Sequence, residues 1–156
     1  QEDLQQEWSP ELVYKASEDP LMRSGLILAG ANYAWNVGVN PDREDNGILT
    51  ALEISNLDLS KTDMVVLSAC ETGLGDIDGS EGVYGLQRAF KMAGVDIIVM
   101  SLWEVPDKET AEFMNAFYAN WLGGMEVRKA FNTTQRIMSN TYKEAPEKWA
   151  AFVLFE

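Results

Sequence analysis

The sequence predicts an α/β three-layer sandwich with a mainly parallel sheet, and three observations carry that prediction. Short apolar runs rich in β-branched residues, over 64–69 and 95–102, read as strands covered on both faces. Segments of helical apolar spacing alternate with them, the order that crossover helices impose. The chain has 156 residues, 46% of them hydrophobic. A domain of about 150 residues buries roughly 68–70% of its unfolded surface, which suffices for one real core.

In chain order, residues 1–20 carry Glu2, Asp3, Glu7, Glu11, Glu18 and Asp19 against Lys15, with Pro10 and Pro20. That composition predicts an acidic, exposed lead-in, with the folded domain over 21–156. The glycine-bounded run over 25–30 predicts a buried strand, and residues 36–47, with Pro41, Asp42 and Asn46, a polar connection. Thr50 followed by Glu53 fits a capping box opening a short helix over 51–56. Met64, Val65, Val66 and Leu67 open a continuous apolar strand over 64–69 with Cys70 at its carboxyl end. Val83, Leu86, Phe90 and Ala93 are spaced for a helix over 81–93, and Gly94 stands where a left-handed C-cap residue belongs. A second buried strand over 95–102 centres on Ile97, Ile98 and Val99.

Pro106 and Asp107 open the next helix, whose Phe113, Met114, Phe117, Tyr118 and Trp121 make one wide apolar stripe that Gly123 and Gly124 end. Val127, Ala130, Phe131, Ile137 and Met138 mark a helix over 126–140. Residues 149–155 form a last apolar segment, read as a strand. Neither an internal repeat nor a low-complexity tract is present.

Composition excludes several functions. The formal net charge of −13 leaves no basic face to neutralise phosphates, so nucleic acid is not an expected partner. No apolar stretch approaches the roughly 18 residues that span a bilayer, and a soluble protein of a reducing, cytoplasmic compartment is expected. One cysteine excludes an intramolecular disulfide framework, and zinc would have to be held by one thiolate and carboxylates. The absence of histidine removes the commonest general base, so neither a Cys-His nor a Ser-His dyad assembles from these residues alone. The chain begins at Gln1 rather than Met, so a fragment, a processed form or an excised piece of something longer is expected.

Open α/β sheets bind ligands outside the carboxyl ends of their strands. Cys70 and the segment Ser101, Leu102, Trp103 are therefore the first candidates. One crossover helix joins their strands, so the two ends are expected to share a rim. A single cysteine after an apolar strand is ordinarily a small buried hydrophobe. The small and polar Glu71, Thr72, Gly73, Leu74 and Gly75 that follow also suit a thiol projecting into a cleft. Glu71, Asp76, Asp78 and Glu81 stand downstream with no cation among them, which raises a thiol pKa, so Cys70 needs an imidazole partner to become a nucleophile.

Gly73, Gly75 and Gly79 invite a dinucleotide reading, which fails because position 78 is Asp where the third glycine belongs. Two carboxylates in that turn also repel phosphate, so no cofactor is expected. A flexible polar loop and a peptide-cleft wall both remain. Trp103 reads either as a core aromatic or, with Ser101 and Asp107, as one side of a groove. In that groove strand backbone pairs with an extended peptide while the indole packs a side chain. The acidic excess is ordinarily a solvated surface, though carboxylates beside Cys70 also attract a basic substrate residue.

Val65-Val66-Leu67-Ser68-Ala69-Cys70-Glu71-Thr72-Gly73-Leu74-Gly75, then Glu81-Gly82-Val83-Tyr84-Gly85-Leu86, then Ser101-Leu102-Trp103, resemble the CHAT domain family of caspase-like cysteine peptidases. Leu21-Met22-Arg23-Ser24-Gly25-Leu26 and Trp149-Ala150-Ala151-Phe152 resemble it as well. The resemblance implies a caspase-like α/β/α sandwich, often attached to an upstream array of helical, tetratricopeptide-type repeats that senses a partner. It implies that Cys70 is the nucleophile of a cysteine endopeptidase, with Ser101, Trp103 and more weakly Asp107 and Glu71 lining the substrate groove. The family's catalytic His-Gly precedes the segment 21–30, and nothing here matches it. The histidine is expected upstream of residue 1 in a parent protein, without which this chain is inactive. A non-catalytic module that binds a peptide or partner domain in the same groove is the alternative.

Overall fold

The computed structural model describes residues 19–29, 31, 47–68 and 79–156, with backbone alone at 20 and 79–83. The acidic lead-in over 1–18, the polar connection over 36–46, Ala69, Cys70, Glu71 and the glycine-rich turn over 73–78 lie outside the described residues. The chain divides into two compact units, residues 1–61 with 72–94 and residues 62–71 with 95–156.

In the first unit a 3₁₀ turn, Pro20–Met22, precedes β1 (Gly25–Ile27), which pairs antiparallel with β2 (Ile48–Thr50). The strand expected over 25–30 is thus shorter and only partly buried, with Ile27 58% exposed. Its covered end is the one opposite Thr50, where Ser24 and Thr50 are buried and the Ala51 N–H donates to the Ser24 carbonyl at 2.8 Å. β2 escaped the sequence reading because three residues are too few to display a period.

Thr50 ends β2 and also caps α1 (Ala51–Ser55). The Glu53 N–H donates to Thr50 Oγ1 at 3.2 Å and the Thr50 N–H to Glu53 Oε2 at 2.8 Å. Each bond satisfies an amide that would otherwise have no partner, so the predicted capping box is present. α2 (Gly79–Met92) buries Leu86, Ala89 and Phe90, and Ala93 beyond it. The chain then turns at Gly94, whose φ is +98°, and a Cβ there would lie 3.1 Å from the Ser60 Cα. Glycine is required twice over, by the left-handed backbone and by the close approach.

Among the described residues the second unit holds a three-stranded sheet in the order β3 (Met64–Leu67), β4 (Ile97–Ser101), β5 (Phe152–Phe155). β3 and β4 are parallel, Met64 opposite Ile97 and Leu67 opposite Met100. β4 and β5 are antiparallel, Ile98 opposite Phe155 and Ser101 opposite Phe152. The sheet is therefore mixed, which corrects the mainly parallel expectation.

The reason lies in the connections. One helix between two strands carries the chain back to the starting end, so the next strand runs parallel. Between β4 and β5 there are two helices, α3 (Asp107–Leu122) and α4 (Val127–Thr141). They form an antiparallel hairpin in which Asn120 meets Thr134 and Glu112 meets Tyr142. The pair returns the chain to the end it left, and β5 must run the other way.

The predicted stripe on α3 faces that hairpin partner and the sheet. Phe113 and Phe117 are fully buried with Val99, Ala130, Phe131, Met138 and Phe152, while Met114, Tyr118 and Trp121 pack around them. Phe113 stacks on Phe152 with centroids 4.2 Å apart and meets Phe131 edge-on at 5.5 Å. Each buried ring stabilises by roughly 1.5–3 kcal/mol relative to exposure. On the opposite sheet face Ile98 and Met100 are also fully buried. Of the residues that mark α4, Ile137 is 47% exposed; the buried stripe steps through Ala130, Phe131, Thr134 and Met138, leaving 137 about 100° around the helix from 138. Thr134 is buried there because its Oγ1 accepts from Asn120 Nδ2 at 3.2 Å.

Candidate functional site

Parallel pairing brings the carboxyl ends of β3 and β4 to one rim, where open α/β sheets hold ligands. The chain leaves β3 through the exposed Ser68 and leaves β4 at Ser101. Cys70 follows Leu67 by three positions, and both it and Glu71 fall outside the described residues.

Ser101 is 4% exposed. It lies opposite Phe152 and two residues from Val99, so its side chain belongs to the sheet face that carries those core residues. The Leu102 N–H donates to the Ala151 carbonyl at 2.9 Å, which extends the β4–β5 ladder one residue beyond the strand. Alternation along the strand turns the N–H and C=O of Ser101 toward the other edge, the side of β3. The Ser101 hydroxyl is thus directed toward the core face, and its N–H belongs to the ladder with β3.

Trp103 is 41% exposed. Its Nε1–H donates to the Glu147 carbonyl at 2.9 Å, and Glu147 sits in the 3₁₀ turn Pro146–Lys148 that precedes β5. Val105 is buried and anchors the connection, with Thr110 Oγ1 donating to its carbonyl at 3.3 Å. Pro106 caps α3, and exposed Asp107 occupies the first turn, where a carboxylate complements the helix dipole. Trp103 and Asp107 therefore both reach the surface of one short connection, while Ser101 is buried at its start.

Behind the connection stands a polar network that sequence reasoning missed. Glu109 in the first turn of α3 is buried, and its Oε1 accepts from Lys148 Nζ at 2.9 Å. That hydrogen bond holds its carboxyl below the ordinary carboxylate range. Lys148 Nζ also lies 5.1 Å from the centroid of the Tyr142 ring. Tyr142 OH donates to Glu112 Oε2 at 2.6 Å, and this bond first, burial second, pushes the phenol up to about 12. The acids of α3 carry the signature of a solvated face, and their partners lie 30 and 39 residues away, beyond any helical spacing rule.

Among the described residues no three His, Cys, Asp or Glu side chains are grouped to hold a metal ion, and no described helix is long and apolar enough to cross a membrane. Of the candidate site residues, the described part of the rim exposes Trp103 and Asp107.

The CHAT domain model matches residues 8–156. The chain belongs to the CHAT domain family. Tetratricopeptide repeat protein 28 of Mus musculus and that of Homo sapiens are each 31% identical to it over 108 residues, 69% of this chain and 4% of the relative. This CHAT domain thus spans only a small fraction of the curated relatives it matches. Its β3–β4 rim is where the Cys70 segment and the Ser101-Leu102-Trp103 segment leave the sheet.

Proposed function

We propose that this CHAT domain is a caspase-like cysteine peptidase domain, a three-layer α/β/α sandwich over 21–156, with Cys70 as nucleophile. The observation that supports it most is the parallel β3–β4 pair, because it sends the Cys70 segment and the Trp103 connection away from neighbouring strand ends. The sequence contains no histidine, so the general base comes from a segment outside these 156 residues. With that imidazole, the thiolate adds to the scissile carbonyl carbon and the imidazolium protonates the departing amine, leaving a thioester. Water, giving a proton to the imidazole, then releases the acid and restores the thiol. The backbone N–H of Cys70, with that of the glycine beside the histidine, stabilises the oxyanion. The end of β4 at Ser101 and the Trp103 indole would line the groove, while Asp107 and Glu71 favour a basic side chain.

By analogy with the tetratricopeptide repeat relatives, a helical repeat array in the same polypeptide would present a partner or substrate to the groove. A reducing, cytoplasmic setting would keep Cys70 a thiol. The test is a peptidyl chloromethyl ketone applied to the full-length protein. Labelling is expected at Cys70 and lost in Cys70→Ala; labelling that persists in that variant refutes the assignment. Equal cleavage of neutral and Arg/Lys peptides counts against the basic preference. The missing histidine also supports a second reading, a non-catalytic module binding a peptide in the same groove. Peptide binding that needs Trp103 but yields no labelling of the full-length protein selects it.

A further inference from the structure

The network behind the Trp103 connection is more than packing. The turn Pro146–Lys148 is held from two sides, Lys148 by Glu109 of α3 at 2.9 Å and the Glu147 carbonyl by the Trp103 indole at 2.9 Å. Tyr142 supports the Lys148 ammonium through its ring and is itself tied to α3 by Glu112. The Trp149 Nε1–H donates to the Tyr142 carbonyl at 3.4 Å, closing the network on the residue after the turn.

A partly buried ion pair is a poor device for stability, since an apolar pair of similar volume does as well or better. Its distinguishing property is geometric. An apolar contact tolerates sliding by an ångström, whereas a 2.9 Å bond from an ammonium to a buried carboxylate selects one position of the turn. Lys148 and Glu147 are adjacent, so fixing the first fixes the carbonyl of the second, and that carbonyl is the acceptor of the Trp103 indole. The indole is thereby fixed along its N–H while 41% of the residue stays open.

On the peptide-groove reading of the rim, we propose that Glu109 and Lys148 are positioning residues that set Trp103 for substrate through the Pro146–Lys148 turn. They touch no substrate. Their partners across the turn have one arrangement, so the indole presents one surface to the peptide. Displacing a positioning contact by about an ångström lowers reactivity by up to roughly a hundredfold.

The experiment uses the full-length protein labelled with 5-fluorotryptophan, the Trp103 signal being assigned by its loss in Trp103→Phe. Lys148→Met alone strands a buried carboxylate and risks unfolding, so the informative variant is Glu109→Leu with Lys148→Met, and Lys148→Arg is the conservative rescue. In the folded double variant the Trp103 fluorine resonance is expected to shift or broaden while the melting temperature holds. Labelling by the peptidyl chloromethyl ketone slows by roughly tenfold to a hundredfold, and Lys148→Arg retains both signal and rate. An unmoved Trp103 resonance in the folded double variant overturns the proposal. So does unchanged labelling in that variant where Trp103→Phe slows it. If Trp103→Phe itself leaves labelling untouched, the groove reading falls, and this role with it, whatever the fluorine signal does.

Discussion

Replacing Phe113 with alanine tests the packing on which the rim stands. The ring is fully buried, stacked on Phe152 at 4.2 Å and set edge-on to Phe131 at 5.5 Å, so its removal opens a cavity bounded by rigid aromatics that cannot collapse into it. Phe→Ala in such a core costs about 3–5 kcal/mol, and two lost aromatic pairs place this site in the upper half of that range. For a chain of this size about 2–4 °C accompanies each kcal/mol, so the melting temperature should fall by roughly 10–20 °C.

Urea denaturation should show a lowered midpoint at unchanged slope. Leu122→Ala, at a residue 77% exposed on the last turn of α3, should stay within about 0.5 kcal/mol of the parent. A double-mutant cycle of Phe113 and Phe152 should return a coupling of about 1 kcal/mol. A loss below about 1.5 kcal/mol for Phe113→Ala, or none beyond Leu122→Ala, would show that the α3–α4 hairpin does not pack on β5 as described.

Three further outcomes follow from local geometry. Gly94→Ala should destabilise by about 1–2 kcal/mol in urea, since φ +98° is unfavourable for any L side chain and the new methyl meets the Ser60 backbone. Thr50→Ala should cost about 1 kcal/mol by removing the α1 cap, while Thr50→Ser should retain most of it. Tyr142 titrates near 12 when folded against 10.0 unfolded, so its contribution is complete below pH 10 and is lost as pH rises toward 12. Glu109 has the opposite sign: held below its unfolded 4.5, it contributes above that pH and ceases to as acid protonates it. Urea midpoints against pH should therefore lose part of the alkaline decline in Tyr142→Phe and part of the acid decline in Glu109→Gln.

Much of the secondary structure is legible in the sequence because its signals are local. The Thr50 and Glu53 capping box, the Gly94 terminus, the aromatic stripe of α3 and the parallel β3–β4 pair each depend on residues within a turn or a crossover of one another. Which face of α4 is covered was not legible, because apolar character alone does not decide it: Ile137 stays exposed, and a buried place went to Thr134, whose hydroxyl Asn120 satisfies. Of the candidate site, the strand ends were found from the pattern of runs, but the buried setting of Ser101 was not, since a residue at a strand end carries no mark of what covers it.

By itself the sequence determined the type and order of most strands and helices, that the chain carries one thiol and no imidazole, and that its rim candidates follow two neighbouring strands. Only the tertiary structure decided the direction of β5, which depends on the two helices α3 and α4 packing as an antiparallel hairpin. It also decided the union of Glu109 with Lys148 and of Trp103 with Glu147. Periodicity reports on neighbours within a turn, whereas a hydrogen bond between residues 39 or 44 positions apart exists only after the core has closed and brought their elements together.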